Sequence, residues 1–184
     1  MNKKDCLILT MAVVAVLSIA SCNTTGEARF GEGAECTVGD CENGPATVKF
    51  GEGGQFTGSY VEGNVNGPGV VLWPNGAKYE GNFVDNYRDG KGNFKYSNGD
   101  TYTGDFKNDL KNGSGVYTWT DGDVYNGEWV NGKQHGKGTY KWANGVIYSG
   151  DWKEGMIDGA GTITWPDRSK VQGTFERNRL ISGK

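Results

Sequence analysis

The chain has a single histidine, His135, and no motif sets a nucleophilic serine or cysteine beside it. A Ser-His-acid or Cys-His centre is therefore excluded. Basic residues number 19 against 22 acids, scattered without a run or stripe, for a net charge of −3. Nucleic-acid binders usually carry a basic patch that displaces counterions from phosphates, and that class is set aside. Cysteines number four, with no second Cys or His pair to complete a metal site. Turn acids such as Asp121 and Asp123 lack the spacing of a dedicated calcium loop. Gly51-Glu52-Gly53-Gly54 neither follows a strand nor opens a helix, so it is no phosphate loop. The expectation is no metal, no cofactor and no enzyme. Apolar residues are only 35% of the chain, low for a globular core. In their place stand 32 glycines and 22 aromatics (6 Trp, 9 Tyr, 7 Phe). Disordered chains are poor in aromatics; rings combined with glycine suggest strands in which rings pack over residues without side chains.

The N-terminus reads as a targeting segment to be removed before fold reasoning. Lys3 and Lys4 form a basic start, and Leu7 to Ile19 an apolar stretch too short to span a bilayer as a helix. Small residues and a cysteine follow, Ile19-Ala20-Ser21-Cys22. This resembles the lipobox of bacterial lipoprotein signals. The resemblance implies a signal peptide at 1–21, cleavage before Cys22, and lipid on Cys22 as a membrane anchor. Residues 22–32 read as a flexible tether. Asn23 is not the Asp that retains lipoproteins at the inner membrane in some bacteria, which favours the outer membrane. Cys36 and Cys41 remain in an exported setting that permits a disulfide between them.

A period of 23 residues emerges when the chain is laid against itself. Segments starting at Phe56, Tyr79, Tyr102, Tyr125 and Tyr148 align without gaps. A degenerate copy that carries Cys36 and Cys41 precedes them at 33–55, and a partial copy follows at 171–184. The array at 33–184 thus holds about six copies. Position 1 is aromatic, position 3 is Gly, position 5 is aromatic, and positions 12 and 14 are Gly. Position 18 is Phe50, Trp73, Tyr96, Trp119, Trp142 and Trp165. Positions 1, 5, 16 and 18 account for 20 of the 22 aromatics.

Positions 1, 3 and 5 alternate, as do 14, 16 and 18, so each set shares one face of an extended strand. The intervening residues are mostly polar, as in a half-solvated antiparallel sheet. Asn-Gly and Asp-Gly pairs recur at positions 11–12 and 20–21, and both favour tight hairpin turns. His135 stands at position 11 and reads as a turn residue. The expected fold is all-β: an elongated single-layer antiparallel meander of stacked β-hairpins, roughly 60 Å long and 20 Å wide. One hairpin is unstable alone, so stability belongs to the array.

The pattern Y-x-G-x-W-x-x-G-x-x-x-G-x-G-x-x-x-W-x-x-G resembles the MORN repeat (membrane occupation and recognition nexus) over about Gly33 to Leu180. The resemblance implies a hairpin array with an aromatic groove, in a family of scaffolds, dimerisation modules and proposed lipid contacts. Some phosphatidylinositol phosphate kinases carry MORN repeats beside their catalytic domain, but no kinase motif is present here. Asn86 and Asp109 depart from Gly at position 8, Arg168 from Gly at position 21, and Val171 from the aromatic at position 1. The candidate binding face is the aromatic one, with Trp73, Tyr96, Trp119, Trp142 and Trp165. The expected function is a membrane-anchored, non-catalytic envelope scaffold with a protein partner or self-association. The alternative is glycan, cell-wall or phospholipid-headgroup binding through the same face.

Overall fold

The computed structural model describes residues 34–184. Cys22 and the segments expected to be a signal peptide and a tether fall outside the described residues. Fourteen strands follow one another: β1 (Glu35–Gly39), β2 (Gly44–Phe50), β3 (Gly54–Val61), β4 (Asn64–Leu72), β5 (Lys78–Val84), β6 (Tyr87–Lys95) and β7 (Thr101–Lys107). The second half comprises β8 (Leu110–Thr118), β9 (Val124–Val130), β10 (Lys133–Lys141), β11 (Ile147–Lys153), β12 (Met156–Thr164), β13 (Lys170–Glu176) and β14 (Arg179–Gly183). All belong to one open sheet in strict sequence order, every neighbour antiparallel. The expected all-β meander is the observed one. Its strands run to seven and nine residues in the central copies, somewhat longer than a width of roughly 20 Å requires.

The turns fall at two places in each repeat, one as expected and one not. At positions 18–22 the chain reverses through Trp73-Pro74-Asn75-Gly76-Ala77 and its counterparts. Trp73 N–H donates to Ala77 O at 2.9 Å, and the Asn75 carboxamide oxygen accepts from Ala77 N–H at 3.0 Å. Asn98, Asp121, Asn144 and Asp167 repeat that side-chain bond. Gly76 has φ +83°, and Arg168, the departure at that position, holds φ +69° and keeps the turn.

The second reversal lies at positions 7–8 and not at 11–12. Glu62-Gly63, Asp85-Asn86, Asn108-Asp109, Asn131-Gly132, Glu154-Gly155 and Arg177-Asn178 all have both φ positive, as a two-residue I′ hairpin requires. Asn86 and Asp109 are thus not faults in the pattern, since Asn and Asp tolerate this conformation. The Asn-Gly and Asp-Gly pairs at 11–12 sit inside the long strands. There Gly58 pairs with Gly69 and Tyr60 with Val65, so one residue on β3 faces three on β4. A bulge recurs there in each full copy, with position 12 at positive φ; in the fourth, Glu128 pairs with His135 and the extra residues are Gly136 and Lys137. His135 is therefore a strand residue beside a bulge, not a turn residue, and its Nδ1 is buried without a hydrogen-bond partner.

The bulge frees backbone groups, and side chains of the same repeat take them up. Asp105, Glu128 and Asp151, at position 4, accept the N–H of Ser114, Lys137 and Ala160, at position 13. In the first full copy position 13 is Pro68, which has no N–H, and position 4 is Ser59. The phenols of Tyr79, Tyr102, Tyr125 and Tyr148 donate to the position-4 carbonyls at 2.9–3.0 Å. Each of those rings packs against the glycines at positions 3 and 14. A Cβ built on Gly92 would stand 2.5 Å from Tyr79 Cε2, a distance no real contact tolerates. With no second layer of described residues above them, these four tyrosines are still 0% exposed.

The buried rings form one continuous ladder. Tyr79 meets Phe83 of its own repeat and Phe106 of the next, both at 5.2 Å and edge to face. The same step repeats from Phe56 through to Phe175. Edge-to-face is the arrangement that ring quadrupoles favour. Trp129 and Trp152 add indole N–H bonds to the carbonyls of Gly115 and Gly138 in the preceding repeat.

Candidate functional site

Of the five residues expected to form a binding face, Trp73, Tyr96, Trp119 and Trp142 pack against the same core as the buried ladder. They are linked through the rings at position 16. Trp73 stands 5.3 Å from Phe94, Phe94 4.2 Å from Tyr96, and Tyr96 5.6 Å from Tyr117. The strip continues from Tyr117 to Trp119 at 4.4 Å, to Tyr140 at 5.3 Å and to Trp142 at 4.7 Å. Trp73, Tyr96, Trp119 and Trp142 are half-buried, whereas Trp165, at the C-terminal end, is 37% exposed. Seven rings thus line a strip beside the fully buried ladder, and no other layer of the described residues covers it.

Polar groups fix the strip in place where the local residues allow. Asp100 is the buried charged side chain among the described residues. Its carboxylate accepts Tyr117 Oη at 2.8 Å, Asn98 Nδ2 at 2.9 Å and Thr120 N–H at 3.0 Å. Hydrogen bonds, that from Asn98 foremost, hold its carboxyl below the usual carboxylate range. One repeat on, the Asp123 carboxylate accepts from Tyr140 Oη and from Ala143 N–H. Where position 22 is Ala77 or Val146, the ring position of the next repeat is Phe94 or Ile163, which have no hydroxyl. Burial raises the phenol pKa of Tyr96, Tyr117 and Tyr140, so all three stay protonated donors at neutral pH.

Two functional candidates were not visible in the sequence reading. Arg88 and Lys111 occupy position 10, which pairs directly across the hairpin with the position-5 ring: Phe83 with Arg88, Phe106 with Lys111. Directly opposed residues share a face, so both cations lie in the aromatic layer. Arg88 Cζ is 5.1–5.6 Å from the rings of Tyr79, Phe94 and Phe106. Lys111 Nζ is 4.1 Å from Trp129, 4.4 Å from Tyr117 and 5.6 Å from Tyr102. The missed signal was the bulge. With positions 11–12 taken as the turn, position 10 had no defined face.

Cys36 and Cys41 are joined as a disulfide, with Cα atoms 6.3 Å apart, and pack against the first end of the core. On the opposite, polar face a shallow groove runs over the paired glycines, lined by Thr57, Glu80, Asn93, Thr103 and Asn126. Among the described residues no group of three or more His, Cys, Asp or Glu is placed to hold a metal ion.

The TCP domain of Drosophila melanogaster SAS-4 (dCPAP), solved in complex with a proline-rich motif of Ana2 (dSTIL), has a similar fold. Its TM-score is 0.50 at 13% identity, covering 95% of this chain and 95% of that one. The TCP10 domain of Danio rerio CPAP gives a TM-score of 0.36 at 13% identity, over 76% of this chain and 72% of its own. Comparison with curated proteins gave no match. The MORN repeat matches in five tandem copies, at residues 56–78, 79–101, 102–124, 125–147 and 148–170, and the chain belongs to the MORN-repeat family.

Proposed function

We propose that this chain is a non-catalytic envelope scaffold, tethered through lipid on Cys22 to the outer membrane, that holds an extended polypeptide along its aromatic strip. The observation that carries the binding role is the uncovered run of rings from Trp73 to Trp142. Rows of rings receive extended, proline-containing segments because such segments are already ordered and present flat apolar faces. The Drosophila domain was solved with a proline-rich motif, and ligand chemistry of that kind suits this strip. The anchor rests on the Ile19-Ala20-Ser21-Cys22 motif behind an apolar stretch.

Crosslinking in cells, with photoreactive residues in place of Trp119 and Trp142, tests the role and identifies the partner. A discrete protein adduct supports it. Retention on purified peptidoglycan with no protein adduct would replace it with the glycan reading. The double substitution Trp119→Ala and Trp142→Ala should weaken the adduct while leaving the circular dichroism spectrum unchanged. Processing blocked by globomycin, and release of a Cys22→Ala variant from membranes, are the results expected of the anchor.

A further inference from the structure

The aromatic layer holds a positive charge that makes ring contacts but, among the described residues, no ion pair. Position 10 is Val65, Arg88, Lys111, Gln134 and Ile157 in the five full copies, so cations occur only in two adjacent repeats. Arg88 has an anionic partner: Nε donates to Asp109 Oδ1 at 2.9 Å and Nη2 to Asp109 O at 3.0 Å. Lys111 has no such partner. Among the described residues its ammonium makes no hydrogen bond or ion pair, only ring contacts. The acid that acts on it electrostatically is Asp100, whose oxygens are taken by Tyr117, Asn98 and Thr120. An ammonium with three donors is costly to leave without acceptors in a ring-lined site.

Beside it opens a cleft of about 360 Å³, lined by Arg88, Phe94, Tyr96, Phe106, Leu110 and Lys111. Tyr96 belongs to the aromatic strip, so the cleft is continuous with the proposed ligand path. The lining carries two cations and one acid, Asp109, which already serves Arg88. A wholly apolar ligand would cover Lys111 and leave its charge unmatched. A carboxylate would match it.

We propose that Lys111 is a carboxylate receptor, assisted by Arg88, and that the polypeptide lying on the strip carries an acidic side chain at this cleft. The proposal rests on the peptide-binding reading above and fixes the ligand's register, because a single acid must meet the one pair of repeats with cations. Burial pulls the Lys111 pKa down to about 8, and an arriving carboxylate opposes that shift by stabilising the ammonium.

The test is an array of synthetic proline-rich 15-residue peptides, one central position being Glu, Gln or Lys, probed with the full chain. Glu peptides should bind roughly tenfold more tightly than their Gln isosteres, the effect of one charge-assisted hydrogen bond. Lys111→Met keeps the packed stem and should erase that preference, while Lys111→Arg retains it. If Lys111→Met does not fold, the Glu-to-Gln ratio of the native chain decides alone. Equal binding of Glu and Gln peptides overturns the carboxylate receptor and leaves the strip's function standing. Binding of none of the peptides overturns both. Lys111-dependent capture of phosphatidylglycerol vesicles without any peptide preference overturns it in favour of a lipid ligand.

Discussion

At the scale of single residues, the fold depends on which positions carry no side chain and which carry a buried phenol. Gly92 lies under the Tyr79 ring, with Cε2 and Oη each 2.5 Å from where a Cβ would stand. The ring is 0% exposed and clamped by Phe83 and Phe106, so it has nowhere to move. Gly92→Ala should therefore cost about 1–3 kcal/mol, the usual range for overpacking, read from urea unfolding. The phenols also set the response to alkali. Burial pushes Tyr79 and Tyr148 from 10.0 up to about 12, and Tyr102 and Tyr125 further. Below pH 10 these groups are protonated in both states and stability does not depend on them. Above pH 10 the unfolded chain loses protons that the folded chain keeps, so stability falls steeply. Lys111 acts in the opposite direction. Burial lowers it from 10.5 to about 8, and between those values the unfolded chain binds a proton that the folded chain lacks. Stability should climb from pH 8 toward pH 10 and then collapse. Thermal melts of Lys111→Met should lack the climb and keep the collapse; a climb that survives in Lys111→Met would mean another group titrates there.

At the scale of the hairpin, the two-residue turn at positions 7–8 decides the register of each copy. Asn86 holds φ +69° while its Oδ1 accepts Val65 N–H at 2.8 Å and its Nδ2 donates to Asn64 at 2.7 Å. Asn86→Gly keeps the backbone geometry and loses those bonds, a cost of about 1 kcal/mol. Asn86→Ala adds the left-handed penalty, so it should cost roughly 1–2 kcal/mol more. Equal losses for the two variants, by chemical denaturation, would mean that the conformation carries no strain. The same turn shows how much could be read in advance. The 23-residue period, the ring positions and the reversal at 20–21 were legible because each rests on chemistry unique to it. The reversal at 7–8 was not, because Asn-Gly and Asp-Gly at 11–12 meet the needs of a hairpin and of a bulge equally: both need positive φ. That one ambiguity concealed the face of position 10, and with it Arg88 and Lys111. The strip from Trp73 to Trp142 was anticipated at position 18. Its linkage through Phe94, Tyr117 and Tyr140 depends on cross-repeat distances that no spacing in sequence reveals.

At the scale of the whole molecule, stability is shared between neighbours, since every copy finishes the core of the one before it. The sequence carries traces of that dependence in residues one repeat apart. Asp100 faces Tyr117 and Thr120, and Asp123 faces Tyr140 and Ala143, each giving a hydroxyl and an N–H. Val146 precedes a repeat with Ile163 and Pro166 at those same positions, where neither group can donate. Copies are therefore interchangeable in their rings but not in this contact. Deleting residues 125–147 joins Val124 to Tyr148 and keeps the strand order and the bulge. Trp152 then stands where Trp129 stood, with its N–H toward Gly115 O. Such a chain should still melt in a single transition at a lower temperature. Asp123, however, would face Ile163 and Pro166 and lose both of its donors. Asp123→Val should raise the melting temperature of the deleted chain by removing the unmatched carboxylate and restoring the Val-before-Ile combination of the native fourth and fifth copies. In the full chain the same substitution strips an acceptor from Tyr140 Oη and Ala143 N–H, and should lower stability by about 1–2 kcal/mol. Opposite signs in the two backgrounds, measured by circular dichroism melts, are the mark of a contact between repeats; a common sign would place the role of Asp123 within its own turn.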